Sequence, residues 1–169
     1  RIEGQKTIMI EMLHQLGWEI PDWVVVPGGN LGNSSAFGKA FDELKKIGFI
    51  DRVPKIAVIQ AQGSNPFYRC FTEKKTLEPM HADTRATAIK IGNPVSWEKA
   101  LFAVTSTGGV VEEVTEEEIA IAKSKLGADG VGSEPASATT VAGCRKLVAR
   151  GVIKPSEKVI CVLTGHVLK

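Results

Sequence analysis

Val24-Val-Val-Pro-Gly-Gly-Asn-Leu-Gly-Asn33 joins a β-branched run to a glycine-rich loop. With Trp23, the valines predict a short buried strand over Trp23 to Val26, because β-branched side chains suit a pleated interior. Gly28, Gly29 and Gly32 then let the backbone approach an oxyanion, since no Cβ intrudes and positive φ is allowed. Successive amides in such a loop converge on an anion, and a following helix adds the positive end of its dipole. Asn30 and Asn33 can donate side-chain hydrogen bonds and tolerate left-handed backbone. No Lys follows the glycines, so the loop is neither G-x-G-x-x-G nor G-x-x-x-x-G-K-[ST], and nucleoside triphosphate chemistry is poorly supported. A plain strand-to-helix turn without a ligand would use the same glycines.

Helical and strand patterns alternate on both sides of this loop. Ile8, Met9, Met12, Leu13 and Leu16 predict a helix over about Gln5 to Leu16, stopped at Gly17. Ser34 or Ser35 is expected to cap a helix carrying Phe37, Ala40, Phe41 and Leu44 on one face and ending at Gly48. Lys55 to Gln60 reads as a second buried strand, Gly108 to Val114 as a third and Val159 to Leu163 as a fourth. Between Ala61 and Asp83 the pattern is broken by Gly63, Asn65-Pro66 and Pro79. Trp97 to Val104 predicts a short helix. Thr115 with Glu118 forms a capping box for a helix running to about Leu126, and Ser133-Glu134-Pro135 opens another that closes at Gly151. Nearly all-apolar strands alternating with helices imply an α/β fold, an open, mostly parallel sheet with helices on both faces. Ligands of such sheets bind beyond the carboxyl ends of the strands. Pro27 to Asn33 stands at that edge, and so does Thr164-Gly165-His166 after the last strand.

The remaining residues mostly exclude. Hydrophobic residues make up 43% and charged residues 24% of 169, an ordinary globular balance. A net charge of +2 without a Lys/Arg stripe gives no reason to expect nucleic acid, and no apolar run is long enough to predict a membrane span. Cys70, Cys144 and Cys161 lack the close pairing of zinc ligands, so no metal is expected; they read as buried free thiols in a reducing compartment. His14, His81 and His166 have no partners at metal or triad spacing. Asp83, Glu112, Glu113 and Glu116 to Glu118 read as solvated faces and helix caps. The Thr164 hydroxyl can meet a ligand ring atom or satisfy nearby backbone.

Four separated motifs occur in a familiar order: Arg1-Ile-Glu-Gly-Gln-Lys-Thr7, Pro21 to Asn33, Ala88-Ile-Lys-Ile-Gly-Asn-Pro94 and Leu163-Thr-Gly-His166. Together they resemble the threonine synthase family, pyridoxal-phosphate enzymes of the tryptophan-synthase-β-like fold (fold type II). The resemblance implies a lyase that converts O-phosphohomoserine and water into threonine and phosphate, cytoplasmic and homodimeric at full length. It implies that Gly29, Asn30, Leu31, Gly32 and Asn33 hold the phosphate of pyridoxal 5'-phosphate, and that Thr164 hydrogen-bonds its ring nitrogen. Arg1, assisted by Asn30, resembles the grip on the substrate's phosphate. The segment Ala86 to Gly92 resembles one near the cofactor, without an assigned role. The Schiff-base lysine of the family has no match, since Lys6, Lys55 and Lys169 lie in other contexts. Residues 1–169 are therefore expected to be the C-terminal large-domain portion of such an enzyme, inactive and poorly stable when isolated. A serine or threonine dehydratase of the same fold is the alternative, although those usually place a serine-glycine-glycine type turn where Thr164-Gly165-His166 stands. A non-catalytic module that binds a phosphate-bearing ligand is the other.

Overall fold

The structure, a computed structural model, describes residues 1–168. Its sheet contains β1 (Trp23–Pro27), β2 (Lys55–Ala61), β3 (Val110–Val114) and β4 (Val159–Cys161), all parallel, in the order β3-β2-β1-β4. Trp23 lies opposite both Lys55 and Val159, so β1 is central.

Successive strand residues point to opposite faces, and here both faces are covered. Val24, Val26, Ile56 and Val58 enter one core with α2 (Thr7–Gln15), α3 (Gly32–Lys46) and α5 (Trp97–Ser106). Trp23, Val25, Ala57 and Ile59 enter a second core with α6 (Glu116–Ala128) and α7 (Pro135–Ala149). Double-sided burial is why these strands show no apolar–polar alternation. Phe37, Ala40, Phe41 and Leu44 are buried on α3 as expected.

The connections set the position of the site. From β1 the chain passes through α3 to β2 on one side, whereas from β3 it returns through α6 and α7 to β4 on the other. The winding thus reverses between β1 and β4, and a crevice opens beyond the carboxyl ends of these adjacent strands.

Several expectations are corrected. The first helix is two pieces, α1 (Ile2–Gln5) and α2, because the hydrogen-bond ladder re-registers at Lys6, where Thr7 Oγ1 donates to the Gly4 carbonyl at 2.7 Å. Neither serine caps α3: it starts at Gly32, with Leu31 before it in the left-handed region at φ 63°. Ser35 Oγ donates instead to the Leu31 carbonyl at 2.8 Å, and Ser34 Oγ is buried without a partner. The broken region contains a helix, α4 (Pro66–Glu73), whose Pro66 sits where it lacks only an orphan donor. The capping box at Thr115 and Glu118 is present, but α6 runs through Gly127 to Ala128. The fourth strand stops at Cys161 rather than Leu163. Glu112 is no solvated face: it is 2% exposed on β3 and pairs with Arg150 and, at 3.7 Å, with Lys146, both from α7. Glu113 accepts a hydrogen bond from Asn65 Nδ2 and Glu116 one from Thr84 Oγ1, so they too are structural. Among the thiols only Cys70 is fully buried; Cys144 on α7 and Cys161 on β4 are half-buried, and Cys161 Sγ donates to the Thr140 carbonyl at 3.8 Å.

Candidate functional site

A cleft of about 560 Å³ occupies the crevice beyond β1 and β4. Gly29, Asn30, Leu31, Gly32 and Asn33 form one wall, Thr164 reaches it from the other strand, and Arg1 lines its rim. Every residue that the sequence proposed for the site is therefore brought together.

The glycine wall is held from behind by a residue that sequence reasoning passed over. Gln60 is fully buried at the end of β2, and its Nε2 donates to the Gly28 carbonyl at 2.9 Å. Its Oε1 accepts the Phe67 and Tyr68 amides, each at 2.9 Å. One side chain thus caps α4 and fixes the start of the loop. Gly28 N–H also donates to the Ile59 carbonyl at 2.7 Å. A buried Gln in an otherwise apolar strand was the available signal, since such a group needs partners for both ends of its amide.

Gly28 and Gly29 are required by close packing rather than by left-handed backbone. A Cβ on Gly28 would lie 2.7 Å from Val58 Cγ1, and one on Gly29 3.1 Å from the Ala88 carbonyl oxygen. The residue with positive φ is Leu31, whose side chain is 2% exposed in the core, so it offers the cleft only backbone. Asn30 Oδ1 accepts the Val95 amide at 2.7 Å, which ties down the next loop and leaves Nδ2 as the donor. Asn33 Oδ1 accepts from Gln5 Nε2 at 2.6 Å. Ala88 and Ile89, from the Ala86 to Gly92 segment, form a further wall. Ser64 Oγ fixes that segment by donating to the Ile89 carbonyl at 3.1 Å and accepting the Ile91 amide at 3.0 Å.

The opposite wall is thinner. Thr164 is exposed, and its Oγ1 lies 3.3 Å from Ser137 Oγ at the start of α7. Ser137 is fully buried and accepts the Gly165 amide at 2.9 Å, so it positions this turn. His166 is exposed and turned to its own chain, its Nδ1 accepting the Leu168 amide at 3.2 Å. At the rim, Glu3 is bound by Lys39 and Lys6, and these hydrogen bonds, Lys39 first, hold its carboxyl down at about 2. Lys6 also pairs with Glu43 of α3, and the hydrogen bonds to Glu3 and then Glu43 raise its pKa above the ordinary 10.5. These pairs leave Arg1 as the cation facing the cleft among the described residues.

This donor set fits a phosphate-bearing ring. No residue's side chain caps α3 at its N-cap, so its first-turn amides and positive dipole end face the cleft beside glycines that a Cβ would block. A hydroxyl stands across from them at Thr164. No lysine lines the cleft among the described residues, and Lys169 lies outside them.

Residues 1–165 match the family model described as pyridoxal-phosphate dependent enzyme. The chain belongs to that family. The chain is 48% identical over 172 residues to threonine synthase of Methanocaldococcus jannaschii, all of this chain against 42% of that one. It is 42% identical to threonine synthase 2, chloroplastic, of Arabidopsis thaliana, covering 33% of its length. The chain therefore spans less than half the length of either relative. Among solved structures, a fungal L-serine ammonia-lyase from Rhizomucor miehei superposes with a TM-score of 0.81 at 21% identity, over 98% of this chain and 51% of that one. That likeness establishes the fold of this pyridoxal-phosphate dependent family member: the parallel sheet flanked by helices is the fold type II arrangement. Among the described residues no helix is long and apolar enough to cross a membrane.

Proposed function

We propose that these residues belong to a threonine synthase, which converts O-phosphohomoserine and water into threonine and phosphate with pyridoxal 5'-phosphate. The observation that carries this reading is the convergence of the uncapped α3 N-terminus, the close-packed glycine loop, Thr164 and Arg1 on one cleft. The 48% identity to a threonine synthase supports the choice of reaction over the dehydratase alternative.

In this reading the backbone amides from Gly29 to Asn33 hold the cofactor phosphate, where the α3 dipole favours negative charge. When bound, the cofactor supplies an electron sink for carbanion chemistry on the amino-acid substrate. Thr164 Oγ1 meets the ring nitrogen with a neutral hydroxyl, which holds the ring without placing a full proton on it. Ser137, 3.3 Å from that oxygen, orients the hydroxyl. Arg1 and the free Nδ2 of Asn30 bind the substrate's phosphate, a pairing suited to the guanidinium's several donors. Leu31 keeps its side chain in the core and thereby shields the cradle amides from water on that side.

Residues 1–169 form the C-terminal large-domain portion of the enzyme, and the covalent lysine comes from outside them. The full-length enzyme acts as a homodimer in the cytoplasm, where the free thiols remain reduced.

The test is an assay of the full-length polypeptide. Phosphate release from O-phosphohomoserine, with threonine as the coupled product, is expected. Ammonia release from serine or threonine without phosphate release would replace this reading with the dehydratase. The isolated chain, treated with cofactor and borohydride, is expected to gain no mass, and a stable adduct on one of its lysines would refute the external position of the covalent residue. Thr164→Val is expected to lower kcat up to about tenfold, the value of one neutral hydrogen bond.

A further inference from the structure

Gln5 is the last residue of α1 and leans against the cradle from outside the glycine loop. Its Nε2 donates to Asn33 Oδ1 at 2.6 Å, while its Oε1 is buried without a hydrogen-bond partner. A Cβ built on Gly32 would lie 3.4 Å from that oxygen, so the orphan atom sits beside the first turn of α3. An unpaired acceptor is the wrong group to present to a site whose other groups are donors. Both amides involved, however, have two ends of nearly identical shape. Turning both over keeps the bond between them, with Gln5 Oε1 accepting from Asn33 Nδ2, and the unpaired buried position then holds a donor instead of an acceptor. Gln5 Nε2 then lies in the cleft wall beside the Gly32 backbone, a buried donor in want of an acceptor.

We propose that Gln5 is a phosphate ligand of this cleft, its amide turned over and locked by Asn33 so that Nε2 meets a phosphate monoester in the cradle. The proposal deepens the reading above and rests on its claim that the cleft takes such a group. α1 ends at Gln5 beside the loop and is preceded by Arg1 at the rim, so one short element with its N-cap residue would serve the phosphates of substrate and cofactor. Glu3 and Lys6 fasten that element to Lys39 and Glu43 of α3, which keeps Gln5 within reach of Asn33.

The experiment uses the full-length polypeptide with pyridoxal phosphate, and with pyridoxal, which keeps the aldehyde and ring but lacks the phosphate. The ratio of the two dissociation constants isolates the phosphate grip, because ring and lysine contacts cancel. In Gln5→Met this ratio is expected to fall about tenfold, and in Gln5→Glu further, since a carboxylate would repel the anion. Pyridoxal affinity should stay unchanged. A parallel measurement of KM for O-phosphohomoserine at saturating cofactor tells which phosphate is held: a rise there with kcat intact assigns Gln5 to the substrate's phosphate. A wild-type protein that binds both ligands equally would refute the cradle reading itself. A wild-type protein that discriminates, with variants that leave both the ratio and KM unchanged, would overturn the role of Gln5 alone. So would equal loss of affinity for both ligands with a lowered midpoint, the mark of a merely structural residue.

Discussion

The two walls of the cleft are built to different standards. The loop after β1 leaves a strand whose residues are all buried, and Gln60, Ser35 and Asn30 tie it to α4, the Leu31 carbonyl and the Val95 amide. The turn after β4 leaves a three-residue strand that is only half-buried, and Ser137 Oγ and the Glu134 amide, which donates to the Gly165 carbonyl at 3.1 Å, organise it. Charge density accounts for the contrast in the proposed role. A phosphate needs several amides fixed before it arrives, because reorganising them would consume the binding energy. A neutral ring nitrogen needs a single hydroxyl at the right distance. Loosening each wall in turn therefore separates the two roles.

Gln60→Leu should have the largest effect. The change keeps the volume but orphans the Phe67 and Tyr68 amides and the Gly28 carbonyl together. Each buried orphan costs about 1–3 kcal/mol, so a loss of at least about 3 kcal/mol is expected in denaturant unfolding of the full-length polypeptide. Gly28→Ala should follow. Its methyl would meet Val58 Cγ1 at 2.7 Å and Gln60 Cγ at 2.9 Å, an overpacking that costs about 1–3 kcal/mol. It displaces the cradle, so cofactor affinity should fall with stability, and unchanged affinity would show that the loop does not touch the phosphate. On the other wall, Ser137→Ala orphans the half-buried Gly165 amide and frees the Thr164 hydroxyl to rotate. A loss of about 1–2 kcal/mol in stability is expected, with kcat reduced and phosphate discrimination intact. If discrimination fell instead, the two walls would not be separable.

Much of this contrast could be read in the sequence because it follows from local patterns. The valine run, the glycines and the Thr115–Glu118 box are each signals of a few residues; β1 and the α6 cap appeared where they pointed, and the glycine loop lines the cleft. What could not be read depends on distant partners. Asn65-Pro66 looked like a break because the acceptor that caps α4 is Gln60, on another element. Ser34 and Ser35 looked like caps, yet Leu31 takes the left-handed position and the first turn of α3 is left open toward the cleft. Glu112 looked solvated because its partners Lys146 and Arg150 stand some thirty-four and thirty-eight positions later on α7. Ser137 is hidden in the same way, since its link to Thr164 spans 27 positions. A side chain that caps or orients across elements leaves no periodic trace.

The smallest effect concerns α1, which has no fully buried residue and is fastened to α3 largely by exposed ion pairs. Hydrogen bonds from Lys39 and then Lys6 lower the Glu3 pKa from 4.5 to about 2. A carboxyl depressed by folding contributes stability that is complete above its unfolded value and is lost as pH falls through the folded one. The attachment of α1 should therefore be intact above pH 4.5 and weaken progressively toward pH 2. Glu3 is fully exposed, so solvent screens the pairs and the global midpoint should hardly respond to Glu3→Gln. The local response should be visible, because hydrogen exchange at the Gln5 and Lys6 amides reports the opening of this element rather than of the whole fold. Lower protection at these amides, measured against the unstructured rate at the same pH, is the expected result in Glu3→Gln near neutral pH, approached by the wild type on acidification. Roughly molar salt, which shortens the Debye length to about 3 Å, should reproduce it in the wild type. Protection that ignores pH, salt and the substitution would mean that α1 is held by its apolar contact through Ile2, and that the cradle wall is as rigid at its rim as at Gln60.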